Sequence, residues 1–381
     1  MPSPVKAAVA AATLSAALIV LAAPAGASSN REAHAAENAV FVQTDNPVAN
    51  KIISYHRWSN GRLTFAHAYF TGGRGGVLAG SVVDHLASQG SLTYDGARGL
   101  LFAVNAGSDT VSLFEAHGDR LTRLQIVGSG GRFPVSIAVR GDFVFVLNAL
   151  RGGSVQGFRL TGDDRLQSVR GWNRPLGLDP KATPQFTNTP GDIAFSPSGS
   201  QLIVTTKANG NHIDVFRLAE SGRPSSSPVV NTEAGAVPFA VSFDEHGRIL
   251  VTNAGPSTVS SFQLRPGGKL VPISTVATGQ SAACWLTRVG DRPLFLSSNA
   301  GSADLTEVRS GQVGSLAVRG TFSTDPGPVD SATARHGRFF YVQTGGKGIV
   351  DEFKVQSGGR LSRIGAVEVP RSVGGEGLVA I

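Results

Sequence analysis

The feature that most constrains this chain is a repeated unit. It is clearest at residues 238–280, PFAVSFDEHGRILVTNAGPSTVSSFQLRPGGKLVPISTVATGQ. Four short runs rich in β-branched residues, 239–243, 248–253, 258–264 and 270–276, are separated by EHG, AGP and PGG. Runs of this length between Gly, Pro and Asn predict an antiparallel meander. One such sheet cannot cover both of its faces, but copies stacked around an axis can. Related units begin near residues 40, 91, 134, 190, 283 and 328. That makes seven at a spacing of roughly 40–50 residues, the range of propeller blades. The first unit lacks a first strand, and the chain ends on GGEGLVAI, residues 374–381, which reads as one. The sequence therefore predicts an all-β, seven-bladed propeller of four-stranded antiparallel blades over residues 40–381. Its ring is closed by the C-terminal strand, which removes open edges.

Residues 1–27 read as a signal peptide. Lys6 supplies the positive end, residues 7–23 an apolar stretch, and Ala25-Gly26-Ala27 a cleavage site. An uncleaved anchor is the alternative. Residues 28–39 read as a flexible lead-in. A secreted, extracellular monomer with no membrane span after cleavage is expected. The single cysteine, Cys284, excludes an internal disulfide. It falls in a first strand, where a buried small hydrophobe is expected rather than a nucleophile. The formal charge of +7 comes from arginines scattered over turns. This suits loose attraction to acidic envelope polymers and lacks the stripe expected of a nucleic-acid binder.

In an up-and-down blade, the segment leading into strand one and the loop between strands two and three share a face. Two long connections, residues 71–90 and 170–189, lead into first strands, and connections of that length are usually functional or disordered. Arg74 and Trp172 on them are candidate ligand-binding residues. The third position of the inner strands holds Ser91, Ser136, Asp192, Ala240, Trp285 and Asp330, with Glu376 nearby in the closing strand. Solvated turn acids are the ordinary account of Asp192, Asp330 and Glu376. The functional account is a convergent acidic rim for a cation such as Ca²⁺ or a polyhydroxylated ligand. Ser136 and Trp285 would then contact the ligand. The loop after strand two begins with Asn in several units (Asn105, Asn148, Asn253, Asn299), which reads as turn chemistry. In the fourth unit Lys207 breaks the pattern. It is either a solvated lysine or a cation on the site face. No other cofactor is evident. Gly72–Gly76 and Gly279–Ala283 lack the helices that phosphate loops and nucleophile elbows need. The histidines do not fall at metal-ligand spacing.

The phrases NAGSDTVSLF, FSPSG and GGRLSRI resemble the lactonase family of seven-bladed propellers, which includes 6-phosphogluconolactonase and carboxymuconate-lactonizing enzymes. NAGSDTVS also resembles repeats of surface-layer propellers. The resemblance covers nearly all of residues 40–381 and implies hydrolysis or formation of a lactone. It also implies a histidine, an arginine and a glutamate near the inner strands. Here Thr189–Asp192 has no histidine, Val237–Ala240 no arginine, and Asn253-Ala254-Gly255 no glutamate. As an enzyme, the chain would use Asp192, Asp330 or Glu376 as general base and Lys207 to stabilise an oxyanion. As a binding module, it would hold a small molecule, carbohydrate, metal ion or protein partner on the same face.

Overall fold

The computed structural model describes residues 1–4 and 38–381. Nearly all of the predicted signal peptide and lead-in thus lie outside the described residues. Seven four-stranded antiparallel sheets form a seven-bladed propeller, and the first blade is completed by Leu378–Ala380 from the other end of the chain. That strand pairs with Ala39–Gln43 in the register Val40 to Ala380, Phe41 to Val379 and Val42 to Leu378. Gln43 N–H donates to Gly377 O at 2.8 Å and Ile381 N–H to Ala39 O at 2.9 Å, extending the seam at both ends.

Burial explains the hydrophobic pattern strand by strand. Second strands such as Leu100–Asn105, Leu294–Asn299 and Phe339–Thr344 are buried along their whole length. They are sandwiched between neighbouring blades, so both faces need apolar side chains and no alternation survives. Outer strands such as Leu361–Glu368 and Leu316–Ser323 alternate between covered and solvated positions.

Two local expectations change. The Asn that ends many second strands does not cap its own turn. Asn105 Nδ2 donates to Thr110 Oγ1 and Ser112 Oγ, and Asn253 Nδ2 to Thr258 Oγ1 and Ser260 Oγ. The side chain reaches across to the third strand of its own blade. The left-handed positions fall four residues later, at Asp109 and Ser257. Trp172 is not on a loop either. The outer strand of the third blade runs over Leu166–Pro175, with an irregularity opposite Gln156 and Phe158. The extra residues carry Trp172 into the core, stacked on Phe145 at 5.8 Å between ring centroids.

The connection between the first two blades positions the site. Val82 is exposed, but from Val83 onward the chain leaves the surface, and residues 83–90 enter the centre of the ring. His85 N–H donates to Gly374 O at 2.7 Å, and the Val83 backbone rests against Gly345. Ser88 reaches the third and sixth blades, Gln89 the fourth, fifth and sixth, and Gly90 the third. Leu86, Ala87 and Ser88 are buried. The segment is a plug that fills the axial channel before becoming the inner strand of the second blade. A Cβ placed on Gly345 would sit 1.7 Å from Val83 O. Gly345→Ala should therefore displace the plug and cost about 1–3 kcal/mol. An unchanged denaturation midpoint would show that the plug is not seated there.

Candidate functional site

Below the plug, the inner-strand acids are desolvated. Asp192 accepts from Val241 N–H at 2.8 Å, from Gln89 Nε2 at 3.3 Å and from Ser136 Oγ at 3.3 Å. The Gly90 backbone faces the Asp330 carboxyl. Asp45, from the first blade, accepts from Glu376 N–H at 2.8 Å and from Gln43 Nε2 at 2.5 Å. Ser88 has one hydroxyl proton and two acceptors in reach, Glu376 Oε1 at 2.5 Å and Val135 O at 2.8 Å. Both contacts are satisfied together only when Glu376 itself carries a proton. Glu376 is fully buried, and Asp330 and Asp192 are nearly so. The solvated-acid expectation thus fails. These side chains look like turn residues in sequence, but the plug seals them from water.

Burial pushes Asp45 and Asp192 up to about 7. Burial, then neighbouring carboxylates, holds Asp330 and Glu376 well above the usual carboxylate range. A carboxyl raised on folding binds more protons folded than unfolded. Its stabilising contribution is present below the unfolded value of 3.8 and is lost as pH rises to about 7. The melting temperature should therefore fall between those limits, and Asp192→Asn should flatten the fall. A melting temperature that climbs steadily across that window would contradict this account.

Above the acids lies an apolar pocket of about 400 Å³, within the range of small-molecule sites. The plug contributes Val82, Val83, Asp84 and Ala87, and the second long connection Phe186 and Thr187. Phe239, Cys284 and Trp285 come from inner strands, and Ala254, Gly255, Ala300 and Gly301 from loops between strands two and three. This is the face on which topology places both long connections. Among the described residues lining the pocket, Lys207 is the only cation and Asp84 the only acid.

Lys207 follows the second strand of the fourth blade in a left-handed conformation, φ 56°. Its Nζ donates to Ala87 O and Phe186 O, each at 2.6 Å, fastening both long connections together. It also lies 5.3 Å from the centre of the Phe239 ring. The side chain is 1 % exposed, so the solvated-lysine expectation is overturned. Burial lowers Lys207 to about 8, against the upward pull of Asp84, Glu376 and Cys284. Burial raises Asp84 to about 6, against the downward pull of Lys207. An ammonium has three N–H donors. Two are used on carbonyls, so the third is available to the pocket.

The predicted site residues thus separate into groups. Lys207 and Trp285 line the pocket, and Trp285 Nε1 donates to Ser88 O at 2.5 Å. Ser136, Asp192, Asp330 and Glu376 hold the plug or lie against it and do not line the pocket. Arg74 is exposed and donates from Nη2 to Gly107 O, and Trp172 is a core residue of the third blade. Asp84 was missed. It is the one acid in residues 71–90, with Val83, Leu86 and Ala87 close to it in sequence, an apolar run that points to burial. Among the described residues, no three His, Cys, Asp or Glu side chains come together as a metal site. The channel carboxylates instead take protein donors. A wider groove of about 580 Å³ between the sixth and seventh blades carries Arg309, Arg319 and Arg360. It contains no inner-strand residue.

The family description "Lactonase, 7-bladed beta-propeller" matches residues 91–287, more than half of the chain. The chain belongs to this lactonase family. No functionally curated protein matches the sequence. Among solved structures, the periplasmic gluconolactonase of Pseudomonas aeruginosa aligns with TM-score 0.69 and 19% identity, over 90% of this lactonase-family chain and 98% of its own. A Bacteroides fragilis candidate 6-phosphogluconolactonase gives 0.67 and 18%, over 89% and 97%. Virginiamycin B lyase from Staphylococcus aureus gives 0.51 and 11%, over 73% and 83%. At these identities the likeness is one of fold, and the lyase shows that the fold carries more than one reaction. No helix among the described residues is long and apolar enough to cross a membrane.

Proposed function

We propose that this lactonase-family propeller is an exported enzyme that opens or closes the ring of a small lactone in the pocket that the plug lines. The observation that carries the reading is Asp84 together with Lys207, the only acid and the only cation among the described residues that line an otherwise largely apolar pocket. Near neutral pH, Asp84 is mostly a carboxylate and Lys207 mostly an ammonium. Those are the states that ring opening requires. Asp84 takes a proton from water as the water oxygen attacks the lactone carbonyl carbon. The free Lys207 N–H stabilises the developing oxyanion. The ring C–O bond then breaks, the proton passes from Asp84 to the departing oxygen, and a hydroxy acid is released. Closure is the same path in reverse.

No arginine is among the described residues that line the pocket, which disfavours a phosphorylated sugar. Its walls favour a lactone with an apolar body. The signal peptide predicted for residues 1–27 supports export, as does the periplasmic setting in the name of the Pseudomonas relative. The test is an assay of purified mature protein against sugar, aliphatic and aromatic lactones, with and without Ca²⁺. Consumption of an apolar lactone independent of Ca²⁺ is expected. If Trp285 fluorescence responds to these compounds while none is consumed, the non-catalytic binding reading replaces this one.

A further inference from the structure

We infer that Lys207 is also an amine nucleophile, which captures an apolar aldehyde or ketone in the pocket as a reversible imine. This goes beyond ring opening and uses only the pocket and the fixed position of Nζ.

The geometry is the argument. Nζ is held by two backbone carbonyls, Ala87 O and Phe186 O, each at 2.6 Å. A neutral amine has two N–H groups and one lone pair. With both N–H groups on those carbonyls, the lone pair takes the remaining tetrahedral direction. That is the position a third N–H would hold in the ammonium form. The same two contacts that aim a donor at a lactone thus aim a lone pair once the proton is gone. A lysine desolvated in an apolar pocket is the usual setting of an imine-forming amine.

The surroundings favour the neutral form. Burial is the main cause of Lys207's downward shift to about 8. The titratable groups facing it are Asp84 from the plug, Glu376 from the chain's end and Cys284 from the sixth blade, each of which pulls upward when ionised. Cys284 does not compete as a nucleophile, because burial pushes its thiol far up. The walls set the class of carbonyl compound. Val83, Ala87, Phe186, Phe239 and Trp285 admit an apolar body. An anionic one would meet Asp84.

The step balances without an outside oxidant or reductant. The reacting state is the one in which the ammonium proton has moved from Lys207 to Asp84: the Nζ lone pair bonds to the carbonyl carbon, and the carbonyl oxygen takes that proton from the Asp84 carboxyl to give a carbinolamine. The hydroxyl then leaves as water with a second proton, relayed from nitrogen by Asp84. The product is a protonated imine, with one N–H left on a backbone carbonyl. Added water reverses the sequence.

The test uses the full-length mature protein with benzaldehyde and sodium cyanoborohydride, whose hydride fixes the imine as a secondary amine. Peptide mass spectrometry locates the added mass. Burial loosens the proton on Lys207, so at pH 7 it should be modified at least about tenfold faster than the exposed Lys181, Lys269, Lys347 and Lys354. The rate should be greatest between about 6 and about 8, where one proton is shared by Asp84 and Lys207, and fall on either side. Glyoxylate, small and anionic, should not share the preference. Benzaldehyde labelling at Lys207 no faster than at the exposed lysines would overturn the inference, and so would equal preference for glyoxylate. The two readings of the pocket fail separately. Labelling of Lys207 without lactone consumption leaves the imine standing, and the converse leaves ring opening standing.

Discussion

A chain ending at residue 373 should not yield a soluble native propeller. The lost segment contributes Leu378–Ala380, the inner strand of the first blade, whose loss uncovers Ala39–Gln43 along its full length. It also carries Gly374 O, which anchors the plug through His85 N–H, and Glu376, which meets Ser88 at 2.5 Å. Ring closure and the plug therefore fail together. A domain of this kind has about 5–15 kcal/mol of net stability, and losses beyond about 4–5 kcal/mol mark the removal of a structural keystone. Here a strand, its buried Leu378 and two plug contacts go at once. The exposed strand edge is also a template for aggregation. The expected result is insoluble protein, or a soluble fraction without a cooperative melting transition. A truncated chain that melts like the full-length protein would show that the ring closes elsewhere. Glu376→Gln separates the two roles. It keeps the strand and can still meet the Ser88 hydroxyl, so it should fold and perturb only the plug.

The ring was legible because its signals are local. Each blade carries its own turns, and the second strands, which open on apolar runs, differ from the alternating outer ones within a few residues. The missing strand at one end and the spare strand at the other also stand in plain view. The face of the site followed from topology. The site itself did not, because its defining element has no regular structure. Residues 83–90 make sense only once seven inner strands surround them. The aligned inner-strand positions drew attention to Asp192, Asp330 and Glu376. Those acids converge, but on the plug. Lys207 stood out as a break in a repeated loop, and its partners are carbonyls of two connections far away in sequence. No pattern in the chain announces that contact. Trp172 misled for a different reason. An irregularity lengthened its strand by several residues, and such irregularities leave little trace in sequence.

Asp84→Asn should lower turnover of a lactone substrate by about 10²–10⁴-fold, the range for loss of a general base. The change is nearly isosteric and removes a charge that burial already disfavours, so the melting temperature should stay close to that of the parent. Lys207→Met should lower turnover by about 10²–10³-fold, as expected for loss of an oxyanion donor. It also removes two hydrogen bonds that fasten the long connections, so its fold must be checked alongside. The pH profile separates a chemical role from a structural one. Ring opening needs Asp84 ionised, which holds above about 6, and Lys207 protonated, which holds below about 8. The parent profile should be a bell centred near 7 with those limbs. Asp84→Asn should abolish the acidic limb of the residual activity, and Lys207→Met the alkaline one. Asp192→Asn should leave both limbs in place, because Asp192 is spent on Val241, Gln89 and Ser136 below the plug. If Asp192→Asn removed the acidic limb while Asp84→Asn kept it, the base would be the channel carboxylate and the pocket assignment would fall.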